Sequence, residues 1–310
     1  MRSSLLVGGL LLGCVGAARE LMAITAAGYE SAHYYLARVT PSTGAHVAVS
    51  NVTSKIGSNL LPCNLAVGPA VTIATLQSLP RLSRSGALIS KIVPGTGFLP
   101  INMQRDHAAA VAVVDSYNTT TGQHAVHELG DDGSWALAGL LNASVVVQVG
   151  ISSYCEKGRV LFLTANDDDD DGGSGTSLLR FSLRTGRLLA APVPMEDYPT
   201  AIAWDSSTAT LYAWTGNETY PAMLVVVDVG TGRRVGEPVA CFRDAALSFG
   251  ATPVALDEAA QKLYTPLTTV TSPPRPLWSV VDLATGSTDE RLRPTVVLDL
   301  AWADSTKLTH

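Results

Sequence analysis

An acidic loop is the segment whose residue types and spacing best fit chemistry at a metal ion. It reads TANDDDDDGGSGTS, and in it Asp167, Asp169 and Asp171, followed by Gly172, match the start of a calcium-binding loop. Alternate carboxylates on a tight loop can converge on a hard cation, and the glycine allows a sharp bend. The twelfth position holds Leu178 where an EF-hand supplies a bidentate Glu, so a solvated acidic loop is the competing interpretation. Calcium is the one cofactor that the sequence suggests.

The histidines form no ligand set in the sequence. His124 and His127 lie three residues apart on one predicted strand, which places them on opposite faces and argues against a shared metal. We interpret these two as partnered or solvent-facing side chains. Three further histidines are scattered and have no carboxylate at a supporting spacing: His33, His46 and His107.

Single aspartates recur at the predicted ends of apolar strands, namely Asp115, Asp228 and Asp282. An aspartate there accepts backbone N–H bonds in the following turn, so we predict turn caps and not acid–base catalysts. The chain has no Gly-x-Ser-x-Gly, His-Glu-x-x-His, P-loop or dinucleotide fingerprint. Large aromatic residues recur within the same units and are predicted to pack between them: Trp204, Tyr212, Trp214, Tyr264, Trp278 and Trp302.

A Thr-Gly corner recurs along the chain and organises these elements. The corners end at Gly44, Gly122, Gly186, Gly232 and Gly286, with successive spacings of 78, 64, 46 and 54 residues. A repeat of this length indicates a stacked or circular array of supersecondary units.

One unit of the repeat is clearest between Pro199 and Val239. It contains the predicted strands TAIAWD, TLYAWTG, MLVVVDV and RRVGEPV, which form an antiparallel meander. The next unit reads TPVALDE, KLYTPLTT, LWSVVDL and STDERLRP, and the preceding one VVVQVGI, RVLFLTA, SLLRFSL and RLLAAPV. An earlier, weaker unit reads AVTIATL, ALISKIV, AAVAVVDS and HAVHELG.

The third strand of each unit is apolar on both faces, which is typical of a strand covered on both sides. The corner glycine supplies a positive φ at no steric cost. In a propeller the strands of each blade are covered by the neighbouring blades. We therefore interpret each apolar third strand and its Thr-Gly corner as a central strand and its outgoing turn, once per blade.

The segments LYAWTGN…MLVVVDVGTGRRVGEPV and KLYTPLTT…LWSVVDLATG resemble the blades of YVTN-type and quinoprotein-like β-propellers. The resemblance covers Val145–Trp302 well and Met22–Leu129 loosely. It implies a fold, while the functions of such propellers are diverse. The Gly-His…Trp-Asp pairing of WD-type repeats and the Pro-Asp-Gly turn of many YVTN blades are absent.

The two chain ends are predicted to complete one blade together. TVVLDLAW (Thr295–Trp302) has the character of a first strand, whereas the N-terminal strands LMAITAA, HYYLARVT and AHVAVSN lack one. Such closure removes open sheet edges. The fold class is therefore all-β: a closed β-propeller of five to six four-stranded blades over residues 19–310, with Ser54–Gly97 able to hold a sixth blade. An open two-sheet structure is the alternative.

The first 18 residues are interpreted as a secretory signal peptide. Arg2 precedes an apolar run over Leu5–Gly16, and small residues follow at Ala17 and Ala18. Alternatives are an uncleaved anchor and, in a bacterium, a lipid-anchored protein beginning at Cys14. No transmembrane span is expected after signal removal.

Four of the eight asparagines open Asn-x-Ser/Thr sequons and favour a eukaryotic secretory route with N-glycosylation. They are Asn51, Asn118, Asn142 and Asn217.

Three cysteines remain after residue 18: Cys63, Cys155 and Cys241. They allow at most one internal disulfide, whose pairing the sequence leaves open, and no Cys-x-x-Cys suggests zinc or redox chemistry. The net charge of −6 and the lack of a Lys/Arg cluster argue against a nucleic-acid partner.

The sequence favours a secreted propeller that acts as a binding scaffold for a protein or a small molecule. The alternative is a propeller enzyme, either a quinoprotein-type dehydrogenase subunit or a calcium-dependent hydrolase. Three or more convergent carboxylates or histidines at the channel mouth would favour the enzyme. A third interpretation is a structural member without a discrete ligand.

Overall fold

The computed structural model describes eleven stretches of the chain: residues 19–26, 33–56, 60–75, 78–94, 97–141, 146–168, 174–216, 221–246, 252–271, 273–293 and 295–303. Nearly all of them are strand or turn. One short helix, α1 (Thr53–Ile56), links the first two blades.

The strands follow one another along the chain in short antiparallel runs. They are β1 (Glu20–Ala26), β2 (Tyr34–Thr40), β3 (Ala45–Asn51), β4 (Leu60–Val67), β5 (Val71–Thr75), β6 (Leu79–Leu82), β7 (Leu88–Ile92), β8 (Phe98–Asp106), β9 (Val111–Asn118), β10 (Gln123–Gly130), β11 (Trp135–Leu140), β12 (Val146–Cys155), β13 (Val160–Asp168), β14 (Ser174–Ser182), β15 (Arg187–Leu188), β16 (Val193–Pro194), β17 (Pro199–Asp205), β18 (Thr210–Thr215), β19 (Ala222–Val227), β20 (Arg234–Phe242), β21 (Ala245–Ala246), β22 (Ala255–Asp257), β23 (Lys262–Thr269), β24 (Pro276–Asp282), β25 (Thr288–Leu292) and β26 (Val296–Ala303).

These strands form six antiparallel blades, so the predicted β-propeller is confirmed with six blades. From the inside outwards, blade 1 is β26-β1-β2-β3, blade 2 is β4 to β7, and blade 3 is β8 to β11. Blade 4 is β12 to β14, with β15 and β16 sharing the outer position, and blade 5 is β17 to β20. In blade 6, β21 and β22 share the inner position beside β23, β24 and β25.

The inner strands close a ring around a central channel. Contacts run from β26 to β4, β8, β12, β17 and β22, and from β22 back to β26. In blade 1, β26 and β1 pair antiparallel from Glu20 opposite Ala303 to Ala26 opposite Val296. The prediction that the two chain ends share a blade is therefore confirmed, because the C-terminal segment supplies the first strand that the N-terminal strands lack.

The predicted boundaries of the early blades are wrong, although the expected sixth blade does lie within Ser54–Gly97. The weak unit combined parts of two blades: AVTIATL and ALISKIV contain β5 and β7 of blade 2, whereas AAVAVVDS and HAVHELG contain β9 and β10 of blade 3. All four segments have the strand pattern, and the pattern alone does not say which strands pair.

The predicted position within the blade was also wrong for one Thr-Gly corner. Four corners join the third and fourth strands of a blade as predicted, at Gly44, Gly186, Gly232 and Gly286. Gly122 instead joins the second and third strands, β9 and β10. All five glycines have φ between 65° and 71°, so both ends of a blade use the same turn chemistry.

The two middle strands of blade 5 are buried on both faces, as expected for blades stacked around an axis. In that blade, β18 has one partly exposed residue and β19 has two. In blade 6, by contrast, every residue of the outer strand β25 is exposed. The rings of Trp204 (blade 5) and Phe162 (blade 4) stack at 4.8 Å, and those of Trp302 (blade 1) and Tyr264 (blade 6) meet edge-on at 5.8 Å. Packing between blades, predicted for the large aromatic residues, is confirmed for these pairs.

Two faces of the propeller are named below by the direction of the inner strands. The upper face is the one at which the inner strands begin, and the lower face is the one at which they end and turn into the second strands. By strand order, the sequon residues Asn51 (end of β3) and Asn118 (end of β9) lie at the upper face.

Candidate ligand-binding site

A cavity of about 510 Å³ lies in the central channel and opens at the lower face. All six inner positions contribute to its lining. Much of the wall consists of small side chains: Gly150, Ser152, Ser153, Ala201, Ala203, Ala255 and Ala301. Because small side chains line converging strands, space for a ligand remains at the axis.

The inner strands are fastened to one another by side-chain hydrogen bonds. The amide Nε2 of Gln104 donates to the carbonyl oxygen and to Oγ of Ser152, at 3.1 and 2.9 Å. The backbone N–H of Trp204 donates to Oγ of Ser153 at 2.8 Å. Blades 3, 4 and 5 are thus linked at the channel wall, which fixes the shape of the cavity.

The rim of the lower mouth is built from one recurring turn. In blades 3 to 6 the turn after the inner strand reads DHAAA, CEKGR, DSSTA and DEAAQ. The last residue of each turn has a φ between 50° and 57° although none is glycine: Ala110, Arg159, Ala209 and Gln261. Such a conformation is unfavourable for a residue with a side chain and persists where its surroundings hold it.

The first residue of the turn supplies part of that support. Oδ1 of Asp106 accepts a hydrogen bond from the N–H of Ala109 at 2.8 Å, and Oδ1 of Asp257 accepts one from Ala260 at 3.1 Å. Blade 4 uses a sulfur atom at the same position, since the N–H of Gly158 donates to Sγ of Cys155.

Asp205 is the most extensively bonded of these turn aspartates. It is fully buried and accepts hydrogen bonds from Ser207, from Thr208 and from Nε2 of Gln261 in blade 6. Burial would raise the pKa of Asp205, but the hydrogen bonds outweigh it and the pKa lies below its ordinary value. The carboxylate therefore stays ionised at neutral pH.

Two glutamates at the rim accept a backbone hydrogen bond from the turn of the preceding blade. Oε1 of Glu156 in blade 4 accepts the N–H of His107 in blade 3 at 3.1 Å. Oε1 of Glu258 in blade 6 accepts the N–H of Ser206 in blade 5 at 2.9 Å. These carboxylates hold the rim in place.

A charged cluster of Asp106, Glu128, Tyr154 and Arg159 joins blades 3 and 4. Oη of Tyr154 donates to Oδ2 of Asp106 at 2.7 Å, and Nε of Arg159 lies 3.4 Å from the same oxygen. Arg159 also pairs with Glu128. Burial, and next the bond to Asp106, raise the pKa of Tyr154 well above its ordinary value, so the phenol stays protonated.

Five lining residues occupy the same register position, and we call them the lower ring. Each is the last residue but one of its inner strand and pairs with the second residue of the next strand. They are Arg105, Tyr154, Trp204, Leu256 and Trp302. The ring therefore forms one layer of the channel just inside the lower mouth.

Some polar atoms around the cavity have no hydrogen-bond partner within the described part of the chain. They are Nε of Arg105, Nε1 of Trp204, Nε1 of Trp302 and Oγ1 of Thr252, and all four are inaccessible to solvent. The terminal nitrogens of Arg105 are bound to the carboxylate of Asp131 at 2.8 Å each.

Three histidine or carboxylate side chains of the described residues line the cavity: His107, Glu156 and Glu258. Both glutamates accept backbone N–H groups at the rim. No group of three His, Cys, Asp or Glu side chains in the described stretches is arranged to hold a metal ion.

The predicted calcium loop falls mostly outside the described residues. Asp169 and Asp171 are not described, and the backbone of Asp167 belongs to β13, opposite Gly175. Calcium binding stays a prediction.

Asp115 is not a turn cap, which corrects the sequence-based interpretation. It is fully buried: its Oδ1 lies 3.3 Å from Nδ1 of His124 and its Oδ2 accepts Nδ2 of Asn102 at 3.3 Å. The strand continues to Asn118, and it is Oδ1 of Asn118 that caps the turn by accepting the N–H groups of Thr120 and Thr121.

The other two aspartates cap their turns as predicted. Oδ1 of Asp228 accepts the N–H groups of Gly230 and Thr231, and Oδ1 of Asp282 accepts the N–H of Thr285. The pKa of each carboxyl is lowered, first by a hydrogen bond from the hydroxyl of Thr231 or Thr285 and next by these backbone N–H groups.

The two histidines of β10 are buried and have separate partners, as the strand spacing predicted. His124 contacts Asp115, and Nδ1 of His127 lies 3.1 Å from Oγ of Ser116. Burial lowers the pKa of His127, whose ring stacks on Trp135 at 4.5 Å.

Within the described residues Cys155 and Cys241 form no disulfide bond, and the side chain of Cys63 lies outside the described part. Asn51 is exposed and Asn118 half-exposed, while Asn142 and Asn217 are not described. Within the described residues, no helix has the length and apolar character needed to cross a membrane.

Sequence reasoning missed the lower ring. The residue types in it differ, and only the shared register brings them together. The signal that could have located the mouth is the recurring turn after each inner strand, with an aspartate in three of its four copies.

Comparison with known proteins supports the fold. No family model matches the chain, and no curated protein matches it. A chain of the nidogen–laminin complex is similar in structure, with a TM-score of 0.61, 15% identity and coverage of 93% of this chain and 99% of that one.

Two bacterial structures are also similar. A candidate 6-phosphogluconolactonase from Bacteroides fragilis has a TM-score of 0.53 and 12% identity, covering 92% of this chain and 98% of that one. TolB from Acinetobacter baumannii has a TM-score of 0.56 and 10% identity, covering 91% and 66%. These neighbours are β-propellers with different functions, so at such identities the likeness concerns the fold alone.

Proposed function

We propose that this protein is a secreted, N-glycosylated β-propeller of the YVTN type that binds a ligand at the lower mouth of its central channel. The observation that carries the proposal is the cavity of about 510 Å³, whose walls consist largely of small side chains and whose rim is hydrogen-bonded. Its volume falls within the range of roughly 300–1,000 Å³ that is usual for small-molecule sites.

The construction of the rim supports a binding role. Turns that are already fastened by Glu156, Glu258 and Asp205 need little ordering when a ligand arrives, and a smaller ordering cost favours affinity. A chain of the nidogen–laminin complex shares this architecture, so a propeller of this kind can take part in a protein complex. The partner is accordingly a small molecule or a segment of a protein that reaches the lower mouth.

The sequons fit the same arrangement. Asn51 and Asn118 lie at the upper face, so glycans on them would leave the lower mouth open. Together with the N-terminal apolar run after Arg2, they support passage through a secretory route.

Ligand binding is tested by affinity selection from a metabolite mixture with mass-spectrometric detection. The variant Ala108→Trp places a bulky ring on an exposed turn residue that lines the cavity. Ala284→Trp is the matched control, because Ala284 is exposed on another lower-face turn and does not line the cavity. We expect at least one compound to be retained by the wild type and by Ala284→Trp and lost from Ala108→Trp. Identical retention by all three proteins would refute the channel as the binding site.

Secretion and glycosylation are tested separately by expression of the full-length chain in cultured eukaryotic cells. We expect protein in the medium whose mass falls on treatment with an N-glycosidase. The variants Asn51→Gln and Asn118→Gln should each lose one glycan's mass without changing ligand retention. Protein confined to the cells, or an unchanged mass, would contradict this part of the proposal.

A further inference from the structure

The inner strand of blade 4 is irregular where it forms the wall of the cavity. The ladder between β12 and β13 is interrupted after Val147 and resumes at Ser152. The four intervening residues, 148–151, stand opposite a single residue of β13, Thr164, and we call them the bulge. Gly150 has a φ of 75° and lines the cavity. Part of the wall is therefore detached from the ladder of its own blade.

Side chains of blade 3 hold the bulge in place. The N–H of Val147, the residue that enters the bulge, donates to Nε2 of His124 at 3.4 Å. Nδ2 of Asn102 donates to the carbonyl oxygen of Gln148 at 3.1 Å. Beyond the bulge, the amide of Gln104 binds β12 where the ladder resumes. The position of this part of the wall therefore depends on blade 3.

His124 makes its bond to Val147 as a neutral ring. Its Nδ1 lies 3.3 Å from Oδ1 of Asp115, and because a carboxylate only accepts hydrogen bonds, the proton of the neutral ring is on Nδ1. Nε2 then carries the lone pair that accepts the N–H of Val147. A second proton would occupy Nε2 and end this bond.

The buried surroundings of His124 include a charge that compensates a second proton. Asp115 is fully buried, and among the described residues His124 is its one ion-pair partner. The other oxygen of this carboxylate accepts the neutral amide of Asn102. With a neutral ring the buried pair carries a net negative charge, and with a protonated ring it carries none. Proton uptake therefore exchanges a hydrogen bond between blades 3 and 4 for a charged, stronger contact inside blade 3.

Two other titratable side chains of the described residues lie near this pair. The ring of Tyr117 on β9 lies 5.0 Å from that of His124, and His127 on β10 is close enough to Asp115 for their charges to interact. The adjoining strand β8 presents the neutral amide of Asn102, and β11 and β12 present apolar or neutral side chains here. Histidines are the side chains that gain charge between pH 5 and pH 8. Of the two histidines, His124 is the one that bonds to β12.

We propose that the bulge is a pH-sensitive part of the cavity wall, which acidification loosens from blade 3 because a protonated His124 pairs with Asp115 and no longer accepts the N–H of Val147. The inference goes beyond the proposed function to the regulation of the same cavity. A ligand that contacts Gly150 would meet a different wall in neutral and in acidic surroundings.

Amide hydrogen exchange followed by NMR tests the inference without a ligand. After correction for the intrinsic pH dependence of exchange, the N–H of Val147 should lose protection about threefold or more between about pH 8 and about pH 5. In the same samples, NMR of the histidine ring nitrogens follows the protonation of His124, and both changes should have the same midpoint. The N–H of Trp204, which is bonded to Ser153 in another part of the wall, should keep its protection.

Two histidine variants give a matched comparison. His124→Gln has no group at this position that titrates in the range, so the protection of Val147 should not change with pH. His127→Gln is the control, because His127 is also buried on β10 but contacts Ser116, and this variant should keep the response of the wild type. Circular dichroism verifies that both variants fold, and if His124→Gln does not, the two midpoints in the wild type decide the question.

The inference is overturned if His124 stays neutral down to about pH 5, if the protection of Val147 does not follow its protonation, or if His124→Gln keeps the pH response. An equal loss of protection at Val147 and Trp204 would indicate general unfolding and would overturn it as well. Each of these results leaves the proposed function standing, and a failed metabolite selection leaves this test unaffected.

Discussion

The indole Nε1 of Trp278 in blade 6 donates a hydrogen bond of 2.9 Å to the carbonyl oxygen of Pro41 in blade 1. This bond joins the last blade to the first at the point where the ring closes. Trp278 is almost completely buried, so the carbonyl would lose its partner without gaining full access to water if the donor were removed.

We therefore expect Trp278→Phe to destabilise the protein more than Trp214→Phe does. Both changes remove the same atoms from a buried tryptophan, but Nε1 of Trp214 has no partner in the described part of the chain. The difference in the free energy of unfolding should be about 1 kcal/mol. Urea unfolding followed by circular dichroism measures it, and equal losses would show that the Pro41 bond contributes nothing.

Gly44 lies against the same tryptophan and gives a second prediction. It has a φ of 66°, and a Cβ on it would overlap the Cγ of Trp278. We expect Gly44→Ala to cost about 1 kcal/mol for the left-handed backbone and roughly 1–3 kcal/mol more for the clash with the indole.

Gly236 is the matched control for this change. Its φ is 70°, and a Cβ there would have nothing within 4 Å. Gly236→Ala should therefore show only the backbone cost of about 1 kcal/mol. The two variants are compared by urea unfolding, and similar losses would mean that the corner glycines are needed for their φ alone.

The architecture could be predicted from the sequence because its signals are local. Corner glycines and apolar third strands mark blades 4 to 6, and the first-strand character of Thr295–Trp302 predicted ring closure. Blade 2 could not be delimited, because its strand β6 has only four residues with Pro80 among them and its outer strand β7 exposes Leu88 and Ile89. Such strands carry no clear period.

The candidate site could not be predicted, because it depends on register between distant strands. Arg105, Trp204 and Trp302 belong to no shared motif, and they come to lie in one layer only when the ring closes. Asp115 was wrongly predicted to be a turn cap for a related reason, because the end of its strand could not be located from the sequence. It stands near the end of an apolar strand as a capping residue would, but β9 runs on to Asn118 and leaves Asp115 among buried side chains of blade 3.

The buried carboxylate of Asp205 predicts a loss of stability in acid. Its pKa lies below the ordinary value of 3.8, so the contribution of its hydrogen bonds is fully present above that value and is lost as the pH falls through the lower, folded-state pKa. We expect Asp205→Asn to cost roughly 1–3 kcal/mol at neutral pH, and the difference from the wild type to shrink in acid.

Asp257→Asn is the control, because Asp257 has the same place in its turn and accepts a hydrogen bond from Ala260 without the extensive bonding of Asp205. It should cost about 1 kcal/mol or less. Urea unfolding at a series of pH values gives both curves. A difference between wild type and Asp205→Asn that does not change with pH would contradict the assignment of the stabilisation to the ionised carboxylate.

For Tyr154 we expect a loss of stability in alkaline solution instead of in acid. Its phenol is held by Asp106 in a buried setting, and its pKa is raised above the ordinary value of 10.0. The stability that it contributes is therefore fully present below pH 10.0 and is lost as the pH rises from there towards the folded-state pKa. Tyr154→Phe lacks the ionising group and should be less stable than the wild type at neutral pH, by about 1–2 kcal/mol.

The free-energy difference between the wild type and Tyr154→Phe should narrow above pH 10.0, because only the wild type must keep this phenol protonated in order to stay folded. Burial also raises the pKa values of Tyr212 and Tyr264, but these residues are present in both proteins and cancel in the difference. Urea unfolding from neutral to alkaline pH measures the gap. A constant gap would mean that the phenol of Tyr154 ionises as readily in the folded protein as in the unfolded chain, and that the bond to Asp106 does not hold its proton.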